Sequence, residues 1–378
     1  NLGGLSGRHG LGGGAGGGTG CIVGLLPNYQ GACAQRSDGT AACWGYGYVN
    51  VGLCAGEPLM TAPTEAPALT GVDELVSYSA TCTRTGAGLP SCFGFNESCG
   101  AVQDESVDEV CPAQSVAVPE PVVSVGAAVS AMCAVGAGEV FCWGDGLTNF
   151  GFKFGATGCD GPTRIDALSD DNAEIDGGYG FLCARKTNGE VWCWGENDLG
   201  QLGQGHQNVV NVPAQVQMPA VEEIAIGYKF GIGRTAAGDV YCWGAGDYEQ
   251  SQCGVSPNPV TPGLVAGIAG AVDEIAAWGE NACVVRLDRQ LVCWGSNRFA
   301  QLKLPDSLGE GPEEIQLQGA PFRVPAKGAL PRVTITAEAI CALHEDGQVY
   351  CWGLNQFNAL PNPNGCLGTG SLEDLVSA

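Results

Sequence analysis

Positive charge is what this 378-residue chain has least of: 16 Lys and Arg stand against 40 Asp and Glu, a formal net charge of −24. A protein that neutralises phosphates needs a basic run or stripe, and none occurs, which excludes nucleic acid as a partner. The acidity itself serves solubility and discourages nonspecific association. Histidine is nearly missing: His9, His206 and His344 are the three, set apart from one another beside turns or in the N-terminal tail, and expected to be solvated. No Ser or Cys nucleophile has a partner at catalytic spacing. With so few imidazoles and no C-x2-C pair there is no zinc ligand set, and the sequence asks for no metal and no cofactor. Long apolar runs are also missing, which excludes a membrane-spanning helix.

Several short patterns imitate chemistry without carrying it. The acidic doublets Glu222-Glu223, Asp273-Glu274 and Glu313-Glu314 look like acid/base pairs. Neighbours on a strand face opposite sides, so solvated edges and loops are expected there. Asp170-Asp171 lacks the spaced ligand loop of a calcium site. Gly12, Gly14 and Gly17 spell a nominal G-x-G-x-x-G with no strand before it, so no nucleotide is implied. Asn96 opens "NES", a glycosylation acceptor pattern. The chain is read as non-enzymatic.

What is present is a repeat. "EVWCWGENDLGQLGQG" (190–205) recurs in weaker form as "TAACWGYGYVNVGL", "EVFCWGDGLTNFGF", "DVYCWGAGDYEQSQ", "QLVCWGSNRFAQL" and "QVYCWGLNQFNAL", and "LPSCFGFNESCG" is a seventh copy. The aromatic anchors Trp44, Phe93, Trp143, Trp194, Trp243, Trp294 and Trp352 lie 49, 50, 51, 49, 51 and 58 residues apart. Such a period makes the repeat decide the fold. Each copy runs from a short apolar segment such as "VDELVSY" through a Cys, a polar turn ending in Gly, and a strand ending Cys-Trp-Gly. A polar turn between two β-prone runs predicts a hairpin. Val191 and Cys193 fall on one face of the second strand, Trp192 and Trp194 on the other. A strand apolar on both faces must be covered on both, as radially stacked sheets would do. The 61 glycines and 21 prolines suit many tight turns, and a Gly follows every anchor, where a positive φ or close approach is expected.

The 20 cysteines fit the same grammar. Cys33–Cys43, Cys82–Cys92, Cys183–Cys193, Cys283–Cys293 and Cys341–Cys351 are ten apart, and Cys133–Cys142 is nine apart. A turn midway sets each pair at opposed hairpin positions, within disulfide reach. Ile232 stands where the fifth copy should have its first Cys, freeing Cys242 to pair elsewhere, with Cys253 the nearest choice. Cys99–Cys111 is a further expected pair, and Cys21, Cys54, Cys159 and Cys366 have no assigned partner. So many bridges imply an oxidising compartment. A start at Asn1 with no apolar leader fits an exported chain whose signal has been removed.

"NGEVWCWGENDLGQLGQG" (188–205) resembles the regulator of chromosome condensation repeat family, whose core reads DG-x-V-x-x-WG-x-N-x-x-GQLG. The likeness runs over residues 22 to 378, and the Cys-bracketed form is similar to the family's exported bacterial branch. The resemblance implies an all-β, seven-bladed propeller with about fifty residues per blade. Family members include GTPase exchange factors, chromatin binders, light receptors and secreted β-lactamase inhibitors. The nuclear roles fit poorly with paired cysteines and acidity. A light receptor needs clustered tryptophans with arginines nearby, whereas here the tryptophans sit mostly at the repeat anchor. The GQLG tail decays to "AQLKL" and "NALPN" in later copies, so loop functions do not transfer.

The termini complete the expectation. Two segments compete for the first strand of the first blade: "CIVGLLPNYQGAC" (21–33), at the right distance from Cys33, and "SLEDLVSA" (371–378), which copies "VDELVSY" without a hairpin after it; the simpler use of the latter is to close the ring on the blade begun by residues 28–50. Residues 27–378 then form the propeller and residues 1–26 a Gly-rich arm, with eleven glycines in the first twenty positions. Leu2, Leu5, Leu11, Cys21, Ile22 and Val23 are the arm residues expected to dock on a neighbouring copy, joining subunits into a surface filament or array. The alternative is a secreted inhibitor or adhesin that binds another extracellular protein through loops on one face.

Overall fold

A strand such as Val191–Gly195 exposes apolar side chains on both faces and therefore needs a neighbour on each. The computed structural model supplies both neighbours by standing seven antiparallel sheets around one axis. It describes residues 21–353, apart from loop stretches that are chiefly 47–58, 102–107, 145–160, 245–252, 254–259 and 303–311. The blades span 22–65, 74–115, 122–164, 172–215, 221–264, 272–314 and 333–353. Strands pair in chain order within each blade: six blades have four strands, and three are described in the seventh. A small hairpin, Gln316–Leu317 with Ala320–Pro321, lies between the last two blades. Among the described residues the helical content is one 3-10 turn, Pro67–Leu69.

The molecule has no single core. Its buried apolar residues divide into seven clusters, one at each contact between successive blades. Each cluster follows one rule: the cystine of a blade meets the aromatic anchor of the next. Cys183 and Cys193 share a cluster with Trp243, Cys283 and Cys293 with Trp352, and Cys33 and Cys43 with Phe93. The period-two alternation explains this, because Cys and Trp adjacent on one strand face opposite neighbours. Phe93, itself fully buried, fills the place of the missing tryptophan. In the fifth blade Ile232 opposes Cys242 and packs where the absent cysteine would be.

All seven glycines after the anchors have positive φ, from 84° at Gly244 to 123° at Gly353. At Gly295 a Cβ would come within 2.1 Å of the Glu280 carbonyl oxygen, so space as well as conformation demands glycine.

The ring closes differently from the sequence expectation. Ile22–Asn28 is the innermost strand of the first blade, pairing with Gly31–Arg36 in a tight hairpin. Ile22, Leu25 and Leu26 are buried, two of them against the last blade's Cys341 and Val349. The Leu25 N–H donates to the Pro331 carbonyl at 2.7 Å, which ties the first blade to the segment entering the last. Residues 22–26 thus belong to the propeller rather than the arm, and Ile22 and Val23 are strand residues. The inner position expected for the C-terminal strand is already filled, because "IVGLL" is apolar and only a short turn from its partner. The segment 371–378 and the arm residues Leu2, Leu5 and Leu11 lie outside the described residues.

Candidate functional site: the central channel and its mouth

Seven inner strands surround a cavity of about 230 Å³ on the propeller axis. Register fixes its layers. Opposite the first half-cystine position of each hairpin stand Leu26, Val76, Gly126, Asp176, Ala225, Ala276 and Thr334. Five members of that layer are apolar or glycine, and only Asp176 and Thr334 are polar.

Carboxylates of the inner strands act as staples between blades. Glu74, Glu174 and Glu223 each pair with an arginine on the second strand of their own blade: Arg84 at 2.9 Å, Arg185 at 2.6 Å and Arg234 at 2.9 Å. Some also reach forward. Glu174 accepts from the Ile224 N–H at 3.3 Å, and Glu74 from the Ser124 hydroxyl at 3.0 Å. A bulge just before Glu174, Glu223 and Glu274 turns these side chains to their partners. In the sixth blade Val285 occupies the arginine's register position. Glu274 instead binds Arg332 of the entering segment at 2.7 Å, and Asp273 binds the same guanidinium at 2.9 Å. Arg332 and Glu274 are both buried. The doublets at 222 and 273 are therefore not plain solvated edges. The bulge breaks the strict alternation on which that expectation rested, so both members of each doublet meet one arginine.

Asp176 differs from the glutamates. Its oxygens accept from the Gly177 N–H and, at 2.8 Å, from the Ile226 N–H of the next blade, and no basic side chain pairs with it among the described residues. Burial pushes its carboxyl up to about 7 despite those two donors, with the Glu74 charge adding to the rise. Burial also raises Glu174, to about 8, outweighing the opposing effect of Arg185. Thr334 is 3% exposed and its hydroxyl has no hydrogen-bond partner.

Aromatic rings gather at the end of the channel where the inner strands turn. Tyr78 and Trp278, from the second and sixth blades, approach to 6.1 Å between centroids. Tyr179 and Tyr228 lie 4.6 Å apart, and the Lys229 ammonium sits 5.7 Å from the Tyr179 ring while pairing with Asp198 at 2.8 Å. The Tyr179 N–H donates to the Tyr228 carbonyl, and the Tyr228 N–H to that of Gly279, stitching three blades together. Sequence reasoning missed this collar. Its signal was an aromatic four or five residues before the first half-cystine position, as in "YSATC", "YGFLC" and "WGENAC".

Other singled-out residues are structural. Among the described residues seven cysteine pairs lie at disulfide distance: the six hairpin pairs, and Cys242–Cys253. Cys111 is disulfide-bonded to a partner outside the described residues, and Cys21 is free and exposed. Asn96 is buried, its side-chain oxygen accepting from the Ala101 N–H, so it is closed to a glycan. His344 packs against Phe322 and Tyr350 instead of standing in solvent, and His206 lies 3.1 Å from the Asn197 amide. Asp171 pairs with Lys186 at 3.1 Å. No helix among the described residues is long and apolar enough to cross a membrane.

The architecture is a seven-bladed β-propeller, and part of it matches a known repeat. Residues 188–232 match the Regulator of chromosome condensation (RCC1) repeat, and a second form of that repeat matches 173–201, 221–250 and 335–359. The chain is 26% identical over 281 residues to the ultraviolet-B receptor UVR8 of Arabidopsis thaliana, covering 72% of this chain and 59% of the receptor. It spans less than two thirds of the length of the curated relatives it matches. Among solved structures it is similar in fold to Prp20p of Saccharomyces cerevisiae, with a TM-score of 0.70 and 19% identity over 88% of this chain and 83% of that one. It is also similar to the ectodomain of the receptor kinase CR4 of Physcomitrella patens, with a TM-score of 0.51 and 18% identity over 91% and 76% of the two chains.

Proposed function

We propose that this protein is a non-enzymatic, protein-binding propeller of an oxidising extracellular compartment, which recognises its partner through the face bearing the aromatic collar. The observation that carries this reading is the gathering of Tyr78, Tyr179, Tyr228 and Trp278, half-buried, around one channel mouth. Tyr and Trp dominate binding hot spots because they supply large, stiff contact area with a polar tip. The disulfides support the compartment, because reducing cytosol does not normally keep so many. Protein binding by this fold is stated for Prp20p, whose structure was described with its binding to Gsp1p and histones, and its extracellular use for the receptor-kinase ectodomain. Immobilised protein should capture a stoichiometric partner from culture supernatant. Trp278→Ala and Tyr228→Ala should abolish capture, while Val212→Ala, an exposed strand residue, should not. Equal capture by all forms would remove the collar from the interface.

A second reading is self-assembly through the arm. It is favoured by the first blade's having all four strands without residues 1–20, so no described strand needs that Gly-rich segment. Electron microscopy of the intact protein and of a form lacking residues 1–20 tests it. Filaments from the first and single propellers from the second are expected; single propellers from both end this reading.

A further inference from the structure

We propose that the central channel is a binding site for an alkylammonium group, seated between the Asp176 carboxylate and the Thr334 hydroxyl beneath the Tyr78 and Trp278 rings. Three independent features converge on a cation with a carbon tail.

The first is a carboxyl without a counter-charge. Glu74 and Glu174 have their arginines, but Asp176 has only backbone donors among the described residues, so a cation entering the cavity would meet one unpaired carboxyl that it would hold ionised. The second is an unused acceptor. Thr334 occupies the register position of Asp176 in its own blade, lines the same cavity, and has a buried hydroxyl without a partner. A buried polar group left unpaired costs about 1–3 kcal/mol, which a donor in the cavity would recover. The third is the nature of the walls. Leu26, Val76, Ala225 and Ile275 offer carbon surface, and two aromatic rings meet at the mouth. Aromatic faces attract ammonium groups, and apolar walls suit the chain attached to one.

Alternatives fit less well. A neutral apolar ligand leaves Asp176 uncompensated, and an anion is repelled by every carboxylate in the wall. A bare metal ion would need several convergent ligands, and the described residues hold no group of three metal-binding side chains.

The test is a calorimetric titration with n-butylammonium chloride, against 1-butanol as the uncharged analogue, sodium butyrate as the anion and sodium chloride as the ionic control. Saturable one-site binding is expected for the amine alone. Asp176→Asn should weaken it by about tenfold or more, as loss of a charge-assisted hydrogen bond does. Thr334→Val removes only the hydroxyl at constant shape and should weaken it about threefold or more; it carries the test should Asp176→Asn fail to fold. Nα-acetyl-lysine amide separates two sources. Its binding alongside butylammonium assigns the site to a lysine side chain, and its failure beside a binding butylammonium assigns it to free amines. Unsaturable titration with butylammonium, equal binding of 1-butanol, or unchanged affinity in folded Asp176→Asn and Thr334→Val would overturn the proposal.

Discussion

Glu274 and Arg332 show how much one pair of side chains can hold. Glu274 accepts from the Arg332 and Val333 N–H groups as well as the guanidinium, so it fixes where the chain enters the last blade. Arg332→Ala would leave a buried carboxylate unpaired and should lower unfolding free energy by about 3–5 kcal/mol in urea denaturation. Replacing both by Met and Leu should restore much of that loss, because desolvation offsets most of the attraction in a buried pair. Asp176 has the opposite sign of pH dependence from an acid whose carboxyl pKa is lowered on folding. Its carboxyl moves from an ordinary 3.8 to about 7 on folding, so the native state keeps a proton the unfolded chain has lost. Its contribution is full below the unfolded value and disappears as pH rises through about 7; Glu174 extends the decline toward 8. Urea midpoints should fall across that window, and Asp176→Asn, neutral throughout, should flatten the fall. A midpoint that rises with pH would contradict the burial described for this residue.

At the scale of the element, the loop after Trp194-Gly195 is a buckle. In the fourth blade Asn197 is fully buried; its oxygen accepts from the Leu202 N–H, and its amide donates to the His206 and Asn208 carbonyls. The loop then presents the Gln201 carbonyl to the Trp243 indole N–H at 2.9 Å, with Gly203 against the same ring. The sixth blade keeps the Asn-to-fifth-residue bond, from the Leu302 N–H to Asn297, although its GQLG has decayed. Asn197→Ala strands several buried groups and should cost about 2–3 kcal/mol, read as a lowered melting temperature. This hairpin grammar was legible because alternation and spacing are local: the Cys-Trp-Gly strand dictates its two covered faces, its positive-φ glycine and its opposed cysteines. The channel was not legible. Asp176, Thr334 and Trp278 come together only through the ring, and a bulge moves the glutamates off the alternation a reader would count. Nor does local pattern decide between "IVGLL" and "SLEDLVSA" for the first inner strand; burial against the last blade does.

For the whole molecule, the seven interblade clusters, each a wedge of cystine and aromatic anchor, imply that stability is shared among interfaces and lost if one is opened. Removing residues 1–20 leaves every described strand intact and should not change the melting temperature. Removing residues 1–28 deletes Leu25 and Leu26 and exposes the last blade's apolar flank, and the transition should broaden and drop in differential scanning calorimetry. An unchanged transition in the longer deletion would mean another segment takes the inner position.

The bridges also govern how such a ring yields to force. Each disulfide among the described residues closes a loop of 9 to 11 residues within its own blade. Drawn out by its two ends, the oxidised chain has side-chain packing and weak bonds to part between the described blades, while the covalent loops of these seven bridges stay shut. Thiol reductant should lengthen each rupture step in single-molecule extension by about 30 Å, the reach of ten freed residues less the span of the bridge. Oxidation therefore sets how far each torn blade can stretch, while the wedges set the load at which it tears.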